Sequence, residues 1–449
     1  MNDIYYPTAI PGFISWGMSG CLMLQRVRNI FAGHLNELGY SEIILPSFCK
    51  TEQISQYLND KKSKTVEAFF GNGENLVLAP FCDLLYVEHV VRNFLDKGYD
   101  VLPYKGYMWS MCCIKEDKPN YANQCAYYQC ESFSLHRSKM EARKTWSVLN
   151  QCYKEVCENE LDMSPVFGYR PRVSVFPLSE DSFVAEVCKE NTTFFTLFAS
   201  HVMKTDFMAY NGFENYKDLT LAGACFSQKL LTWMMVHHSD SYGLRIPPAL
   251  APVVGIVVFC SYDEMALYSN TAIVKDKILY LVKEDNVSEI MLKKCSIWVL
   301  QEHEEEIGSK NWLLWKRGTP MCPQGRYDDF YAALKEAQKY VEEFRVLLKS
   351  ESIRKNRSSL FTASNIKEFL RTVHSIQADS SDPRNNICVP CCSEMKCQNQ
   401  LIDSVEWTPK LLFENEGEEP CALCGTPTSI SLMFEKTEVY PGFYTNETK

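Results

Sequence analysis

The chain has 449 residues, 46% of them hydrophobic, and carries 46 Lys and Arg against 56 Asp and Glu, for a net charge of −10. That length and apolar content predict about three domains rather than one core. The acidic balance excludes a global electrostatic footprint for nucleic acid, so DNA is not an expected partner and any RNA contact has to come from a local patch. The amino-terminal MNDIYYPTAIPGF lacks the basic flank and apolar stretch of a signal peptide. No apolar run approaches the roughly 18 residues that span a bilayer, so a soluble, cytoplasmic protein with no membrane partner is expected. The 20 cysteines are read as reduced thiols, mostly buried, with a metal site among them.

In chain order, Ser19 to Leu38 places Val27, Ile30, Phe31, Leu35 and Leu38 on one helical face, and Gly39 supplies the stop. Ser41 to Pro46 reads as a short strand. A polar loop, Asn59 to Asn75, leads to strand Leu76 to Leu78 and a helix from Asp83 to Lys97 striped by Leu84, Val87, Val91 and Phe94. Tyr104 to Ile114 and Ala126 to Phe133 read as strands joined by EDKPNYANQ, with Pro119 and Asn120 as turn formers. Glu141 to Leu161 is predicted helical, and Val173 to Val187 a strand followed by a helix.

Met235 to Phe259 passes from a helical segment through a Gly and Pro-Pro turn into an unalternating apolar strand, Val253 to Phe259, suited to burial on both faces. It reads as a junction between domains. A helix near Ala266 to Lys283, strand Ser296 to Leu300 and a long helix from Ala332 to Ser350, striped by Leu334, Ala337, Val341, Phe344 and Leu348, then predict an α/β domain. The acidic run Glu302 to Glu306 reads as a solvated loop. Arg354 to Ser381 reads as a surface connector with one short helix, and the segment from Ile387 is distinct in its density of cysteine.

In that segment Cys421 and Cys424 form a C-x-x-C turn able to bring two thiolates to one ion. Spacing leaves the upstream pair open between Cys388 with Cys391 and Cys392 with Cys397. Either set of four sulfurs would bind zinc structurally, because no coordination position stays open for catalysis.

The junction, Met235-Val236-His237-His238-Ser239-Asp240 followed by Gly243-Leu244-Arg245-Ile246-Pro247-Pro248 and Ala251-Pro252, resembles MVHGD and GLxLPPxxAP of the prolyl-tRNA synthetases, and the resemblance extends in order over nearly the whole chain. It implies an α+β protein: a class II synthetase antiparallel sheet core with helices (1–246), an α/β anticodon-binding-type domain (247–352), and a connector with a small zinc-binding α+β tail (353–449). It selects Cys392, Cys397, Cys421 and Cys424 as the zinc ligands, since Cys392-Ser-Glu-Met-Lys-Cys397 resembles the C-G-E-x-x-C of the archaeal and eukaryotic type. Gly308-Ser309-Lys310, Lys316-Arg317-Gly318-Thr319-Pro320 and Gly325-Arg326-Tyr327-Asp328 resemble anticodon-domain elements. Lys310, Lys316, Arg317 and Arg326 are therefore the candidates for tRNA contact.

The family joins proline to ATP and transfers the prolyl group to tRNA, chemistry that needs fixed cations at the phosphates and Mg²⁺. Here the sequence departs from the family. Ile114 stands at the position of the α-phosphate arginine, two residues before the retained Glu116, and Gln228 at the position of the γ-phosphate arginine. No Arg lies between Arg92 and Arg137 or between Arg172 and Arg245. Lys115 and Lys229 adjoin the two positions, but on a strand Lys115 points to the opposite face unless a bulge intervenes. Ala79-Pro80-Phe81-Cys82-Asp83 stands where the family has R-P-T-S-E, Cys130-Glu131-Ser132-Phe133 where it has Q-E-G-H, and Phe198-Ala199-Ser200-His201-Val202 where it has G-T-S-H-H. Asp83, Lys115, Glu116, Glu131, His201, Gln228 and Lys229 are thus the substrate-pocket candidates.

The resulting expectation is a prolyl-tRNA-synthetase-like protein with an impaired aminoacylation site that acts by binding tRNA or a partner. The partner could be a second copy or a related synthetase, paired through the segment Leu22 to Pro46. The alternative is a divergent active proline–tRNA ligase, which alone would require ATP and Mg²⁺.

Overall fold

The computed structural model describes residues 4–51, 67–69, 75–79, 81–114, 119, 124–176, 178–188, 194–269, 277–282, 286–306, 309–379, 382 and 384–436. Helix α1 (Met18–Glu37) buries Met23, Val27, Phe31 and Leu35, one residue per turn. It stops where the sequence places the stop: Gly39 is left-handed at φ 81°, and the Tyr40 N–H closes back on Leu35 O at 3.0 Å. The strand expected after it is short, only Ser41–Glu42.

Six strands, β1 (Tyr104–Cys113), β2 (Ala126–His136), β3 (Val166–Tyr169), β4 (Ser179–Cys188), β5 (Phe194–Met203) and β6 (Thr220–Ser227), form an antiparallel array in the order β3-β4-β5-β6-β2-β1. Ser41–Glu42 adds to β1 in parallel. Alternation splits each strand between two cores. Tyr107 and Cys130 pack with α1, α3 (Lys139–Glu155) and α4 (Lys229–His238), whereas Met108 and Phe133 pack with α2 (Asp83–Asn93). The helix expected at the end of the 173–187 segment is absent. That stretch is strand β4, whose Phe183-Val-Ala-Glu-Val-Cys188 run is buried throughout, and a run covered on both faces carries no period to separate strand from helix.

A second sheet of five strands has the order β8-β7-β9-β10-β11, from β7 (Gly255–Phe259), β8 (Ile278–Val282), β9 (Trp298–Glu306), β10 (Ser309–Lys316) and β11 (Gly325–Tyr327). β7 lies parallel to both β8 and β9, and β9 to β11 form an antiparallel meander. Two expectations are corrected here. The predicted Ala266 to Lys283 helix is helix α5 (Tyr262–Ser269) followed by strand β8, and the acidic run Glu302 to Glu306 is the end of β9, with Glu302 buried.

The long carboxy-terminal helix of this unit (Phe330–Ser358) passes residue 352 and keeps its stripe, with Leu334, Ala337, Phe344 and Leu348 buried. Its last turns, expected in part to be surface connector, bury one polar face, Ser352, Lys355 and Asn356, while Arg354 and Arg357 stay exposed. Ser352 Oγ lies 2.7 Å from His237 Nε2, Lys355 Nζ donates to His237 O at 2.5 Å, and Asn356 Nδ2 donates to Ser164 O at 2.7 Å. Lys355 and Arg245, whose Nε donates to His238 O at 2.6 Å, thereby satisfy the last carbonyls of α4.

The tail extends the first sheet to 11 strands. Phe361–Thr362, Asn386–Pro390, Pro427–Glu435 and Thr408–Pro420 lie in that spatial order, and the last joins β3 through one register pair, Leu412 with Tyr169. Gly168 permits the approach, since a Cβ there would sit 2.2 Å from Leu412 O. Beneath the joint, Arg170 Nη2 donates to Glu186 Oε1 at 2.6 Å and Arg170 Nη1 to Lys410 O at 2.8 Å, while Lys410 Nζ reaches Glu435 at 2.8 Å.

At the junction, Arg317 is 1% exposed and donates both terminal nitrogens to Asp240, at 2.5 and 2.8 Å. Arg245 pairs with Glu351, one of the two bonds at 3.1 Å. Arg317 was expected at an RNA-facing surface; it is a buried structural cation, because Asp240 and the carbonyls of Gly243 and Leu244 enclose its guanidinium. Arg317→Ala removes the bidentate partner of Asp240, leaving it Arg245 at 3.6 Å and two backbone N–H donors, and is expected to cost about 3 kcal/mol. Lys316→Ala at the neighbouring, partly solvated site should cost about 1 kcal/mol or less. Urea unfolding followed by far-ultraviolet circular dichroism checks the contrast, and equal effects would contradict it.

Candidate functional site

Strand alternation builds a floor for one cavity on the α2 side of the first sheet. Gln129, Glu131 and Phe133 of β2 project to one face. Register carries that face sideways: Glu131 lies beside Cys225 of β6, which lies beside Ala199 of β5, and Phe133 lies beside Gly223, beside His201. Phe81, Asp83 and Phe176 stand over this floor and enclose about 200 Å³. Gly223 keeps it open, since a Cβ there would come within 2.4 Å of the Phe133 ring.

Three of the candidates therefore meet in one place. Glu131 is 2% exposed; its Oε2 accepts the Cys82 N–H at 2.9 Å, and its Oε1 has no hydrogen-bond partner among the described residues. Burial pushes its carboxyl up to about 7, with the Asp83 charge adding to the shift against the hydrogen bond from the Cys82 amide. Asp83 opens α2 and accepts the Leu84 N–H at 2.9 Å, a carboxylate at a helix amino terminus. His201 is driven down to about 3 by burial and by Arg170, so it is neutral, with Nδ1 2.8 Å from Ser182 Oγ and its ring stacked on Phe176 at 4.6 Å.

The two positions aligned with phosphate arginines are built as neutral interior. Ile114 is buried in a cluster with Cys112 and Tyr127. Gln228 is 4% exposed and ties its amide nitrogen into a chain: Nε2 donates to Gln124 Oε1 at 2.9 Å, and Gln124 Nε2 donates to Thr232 Oγ1 at 3.2 Å, while Gln228 Oε1 has no hydrogen-bond partner among the described residues. Lys229, half-buried, holds its ammonium 4.1 Å from the ring centre of Tyr127, a residue of the cavity wall. Lys115 and Glu116 lie outside the described residues. No described residue lining the cavity is a lysine or arginine. Sequence reasoning missed Gln129, Tyr127 and Phe176 as lining; the alternation through Glu131 was the signal for Gln129, whereas Phe176 arrives from a loop with no pattern to announce it.

The cysteines resolve into two groups. Cys392, Cys397, Cys421 and Cys424 bring their sulfurs within 4.8 Å of one another, with Cys392 and Cys424 at 3.7 Å. Tetrahedral coordination with metal–sulfur bonds of about 2.3 Å requires sulfurs about 3.8 Å apart, so the four fit a metal ion. Cys392 and Cys397 bracket the start of helix Met395–Ile402, and Cys421 and Cys424 sit in the turn after Pro420, closed by Gly425 at φ 75°. Hydrogen bonds from the Thr426 side chain and backbone hold the Cys424 thiol down at about 6, which favours the ligating thiolate. Cys388 instead faces Met433 inside a core cluster, and the Cys391 thiol lies 3.5 Å from Cys392 O, outside the group of four sulfurs.

Of the cations expected to meet tRNA, Lys310 pairs with Glu264 and Glu302, Lys316 lies 3.7 Å from Glu343 and 4.6 Å over the Tyr340 ring, Arg317 is buried, and Arg326 is exposed on β11. His237 and His238 are buried helix-end residues bonded to Cys188 O at 2.7 Å and Leu161 O at 3.0 Å, not a metal or base pair.

No protein-family model matches the chain. A proline–tRNA ligase of Clostridium botulinum (strain Kyoto / Type A2) is 20% identical over 444 residues, covering 91% of this chain and 88% of that protein. The proline–tRNA ligase 2 of Bacillus cereus is 22% identical over 459 residues, covering 91% and 90%. Among solved structures, prolyl-tRNA synthetase from Cryptosporidium parvum complexed with halofuginone and AMPPNP superposes with a TM-score of 0.78 at 13% identity, covering 97% of this chain and 95% of that one. The same enzyme complexed with L-proline and AMP gives 0.75, covering 97% and 93%. In sequence over nine-tenths of its length, and in fold over nearly all of it, this chain is a divergent relative of the prolyl-tRNA synthetases.

Proposed function

We propose that this protein is a prolyl-tRNA-synthetase-like binding protein whose amino-acid activation step is impaired, and that it acts in the cytoplasm by holding tRNA or a partner protein. One observation carries the reading: Gln228 is committed to the buried Gln228–Gln124–Thr232 chain while Ile114 sits in an apolar cluster. Neither position offers charge to a triphosphate, and losing one such clamp typically costs about 10² to 10³ in rate. The second reading, a divergent active proline–tRNA ligase using ATP and Mg²⁺, is favoured by the retained cavity with Glu131 and by the Lys229 ammonium against Tyr127.

The binding surfaces follow from the same division of the chain into a synthetase-like core, an anticodon-type unit and a tail. Met18, 81% exposed, and Ile44, 94% exposed, support pairing with a second copy or a related synthetase through the α1 face. Arg326, exposed on β11, and Lys310 and Lys316, whose charges are partly offset by carboxylates, support phosphate contacts. No helix among the described residues is long and apolar enough to cross a membrane. The metal is assigned as structural zinc held by Cys392, Cys397, Cys421 and Cys424. The core of the tail includes Cys392, Cys397 and Cys421 with Trp407 and Leu401, so the metal supplies fold stability there and takes no part in a reaction.

Two outcomes are expected. Proline-dependent ATP–pyrophosphate exchange by the purified zinc-loaded chain falls below that of an active synthetase by about 10³ or more. Robust exchange that needs proline and is lost in Lys229→Ala would establish the ligase reading instead. Elemental analysis finds zinc bound stoichiometrically, and Cys421→Ser loses it together with the tail's thermal transition; full metal loading by that variant would refute the ligand set.

A further inference from the structure

The four grouped sulfurs of the tail differ in what can reach them. Cys392, Cys397 and Cys421 are 6%, 8% and 3% exposed, whereas Cys424 stands open to solvent at the end of the C-x-x-C turn. Its sulfur lies 3.7 Å from that of Cys392 and donates to Thr426 Oγ1 at 3.3 Å. Beside the group a fifth thiol, Cys391, is wholly buried and turned to Cys392 O at 3.5 Å. A small solute therefore meets the Cys424 sulfur first, and that sulfur has a second one in reach of a disulfide bond. Hydrogen bonds fix the turn between Cys421 and Cys424, from the Gly425 N–H to Cys421 O at 2.9 Å and from the Cys421 N–H to Thr426 O at 2.8 Å. Cys392 comes from a separate segment, 32 residues earlier, and lies outside that constraint.

We propose that the tail's metal site is also a peroxide-responsive thiol switch, with Cys424 as the sulfur that is oxidised and Cys392 as the thiol that resolves it. The Cys424 thiolate attacks one oxygen of hydrogen peroxide, the O–O bond breaks, and hydroxide departs to leave a sulfenic acid on Cys424. The Cys392 thiolate then attacks that sulfur, the S–S bond forms, the S–O bond breaks, and a second hydroxide departs. Two electrons pass from the sulfurs to peroxide, and both hydroxides take protons from solvent to become water. Of the four ligands only Cys397 and Cys421 remain as thiolates, too few to hold a tetrahedral ion. Helix Met395–Ile402 thereby loses the tie that Cys397 makes to the turn. The inference rests on the reading of these four cysteines as zinc ligands and adds a chemical means of undoing it.

Titration of the full zinc-loaded chain with hydrogen peroxide tests it, read by a chromogenic zinc indicator and by mass spectrometry of unreduced peptides. Stoichiometric loss of zinc is expected in step with a disulfide joining Cys392 to Cys424, and dithiothreitol with added zinc should restore the bound metal. With dimedone present, the trapped sulfenic acid of the tail is expected on Cys424. Cys391→Ser, which alters the thiol outside the four, should release zinc as the unaltered chain does. Zinc retained in excess peroxide, a disulfide between other cysteines accompanying the release, dimedone on a different tail cysteine, or release abolished by Cys391→Ser overturns the proposal and leaves the ligand set standing. A chain that carries no zinc before peroxide is added defeats the ligand set and the proposal together.

Discussion

The first sheet, the second sheet and the long helix meet around two guanidinium groups that have almost no water. Arg317 and Arg245 are 1% and 2% exposed, and burying either charge without a partner costs several kcal/mol. Their partners come from separate places, Asp240 in the turn after α4 and Glu351 in the long helix. The charges are satisfied only when the first sheet, the second sheet and that helix close together. Arg245 and Lys355 then complete the end of α4, whose opposite end carries Gln228 and Lys229 beside the cavity.

Inside the cleft the same electrostatics run in reverse. At the junction, buried cations have their carboxylates. In the cavity, Glu131 is a buried carboxyl with no lysine or arginine among the described lining residues, and burial raises it to about 7. A site that handles a triphosphate concentrates fixed positive charge before the substrate arrives. Of the two positions that the proposed reading assigns to phosphate, Gln228 has its amide nitrogen tied into the interior and Ile114 is a hydrocarbon.

The helices and hairpins were legible where periodicity was clean. The Val27, Phe31 and Leu35 stripe with Gly39 defines α1 to within a residue or two, and the four cysteines were read from a C-x-x-C turn together with a family resemblance. Strand β4 was misread because burial on both faces removes alternation, and the end of the long helix was misread because buried Ser352, Lys355 and Asn356 look like solvent-facing residues in a string of letters. The fate of individual charges was not legible at all. Lys316-Arg317-Gly318 reads as a basic surface element, yet Asp240, which buries Arg317, lies 77 residues earlier in the chain. Gln228 looks like a simple loss of charge until Gln124, 104 residues away, is seen to occupy it.

The joint between Arg170 and the strand at Lys410 spans 240 residues of chain, and the ribosome delivers those residues in order. At about 5–20 residues per second, β3 waits some 10–50 s for the strand that covers its outer edge. Through that interval the nascent protein presents an unpaired β-edge beside a glycine, with Glu186 lacking one of its two cations. An open edge of this kind is what other unfinished chains pair with. The strand at Lys410, made after the rest of the first sheet, therefore acts as its seal, and translation that stops before residue 410 leaves the β3 edge open to aggregation.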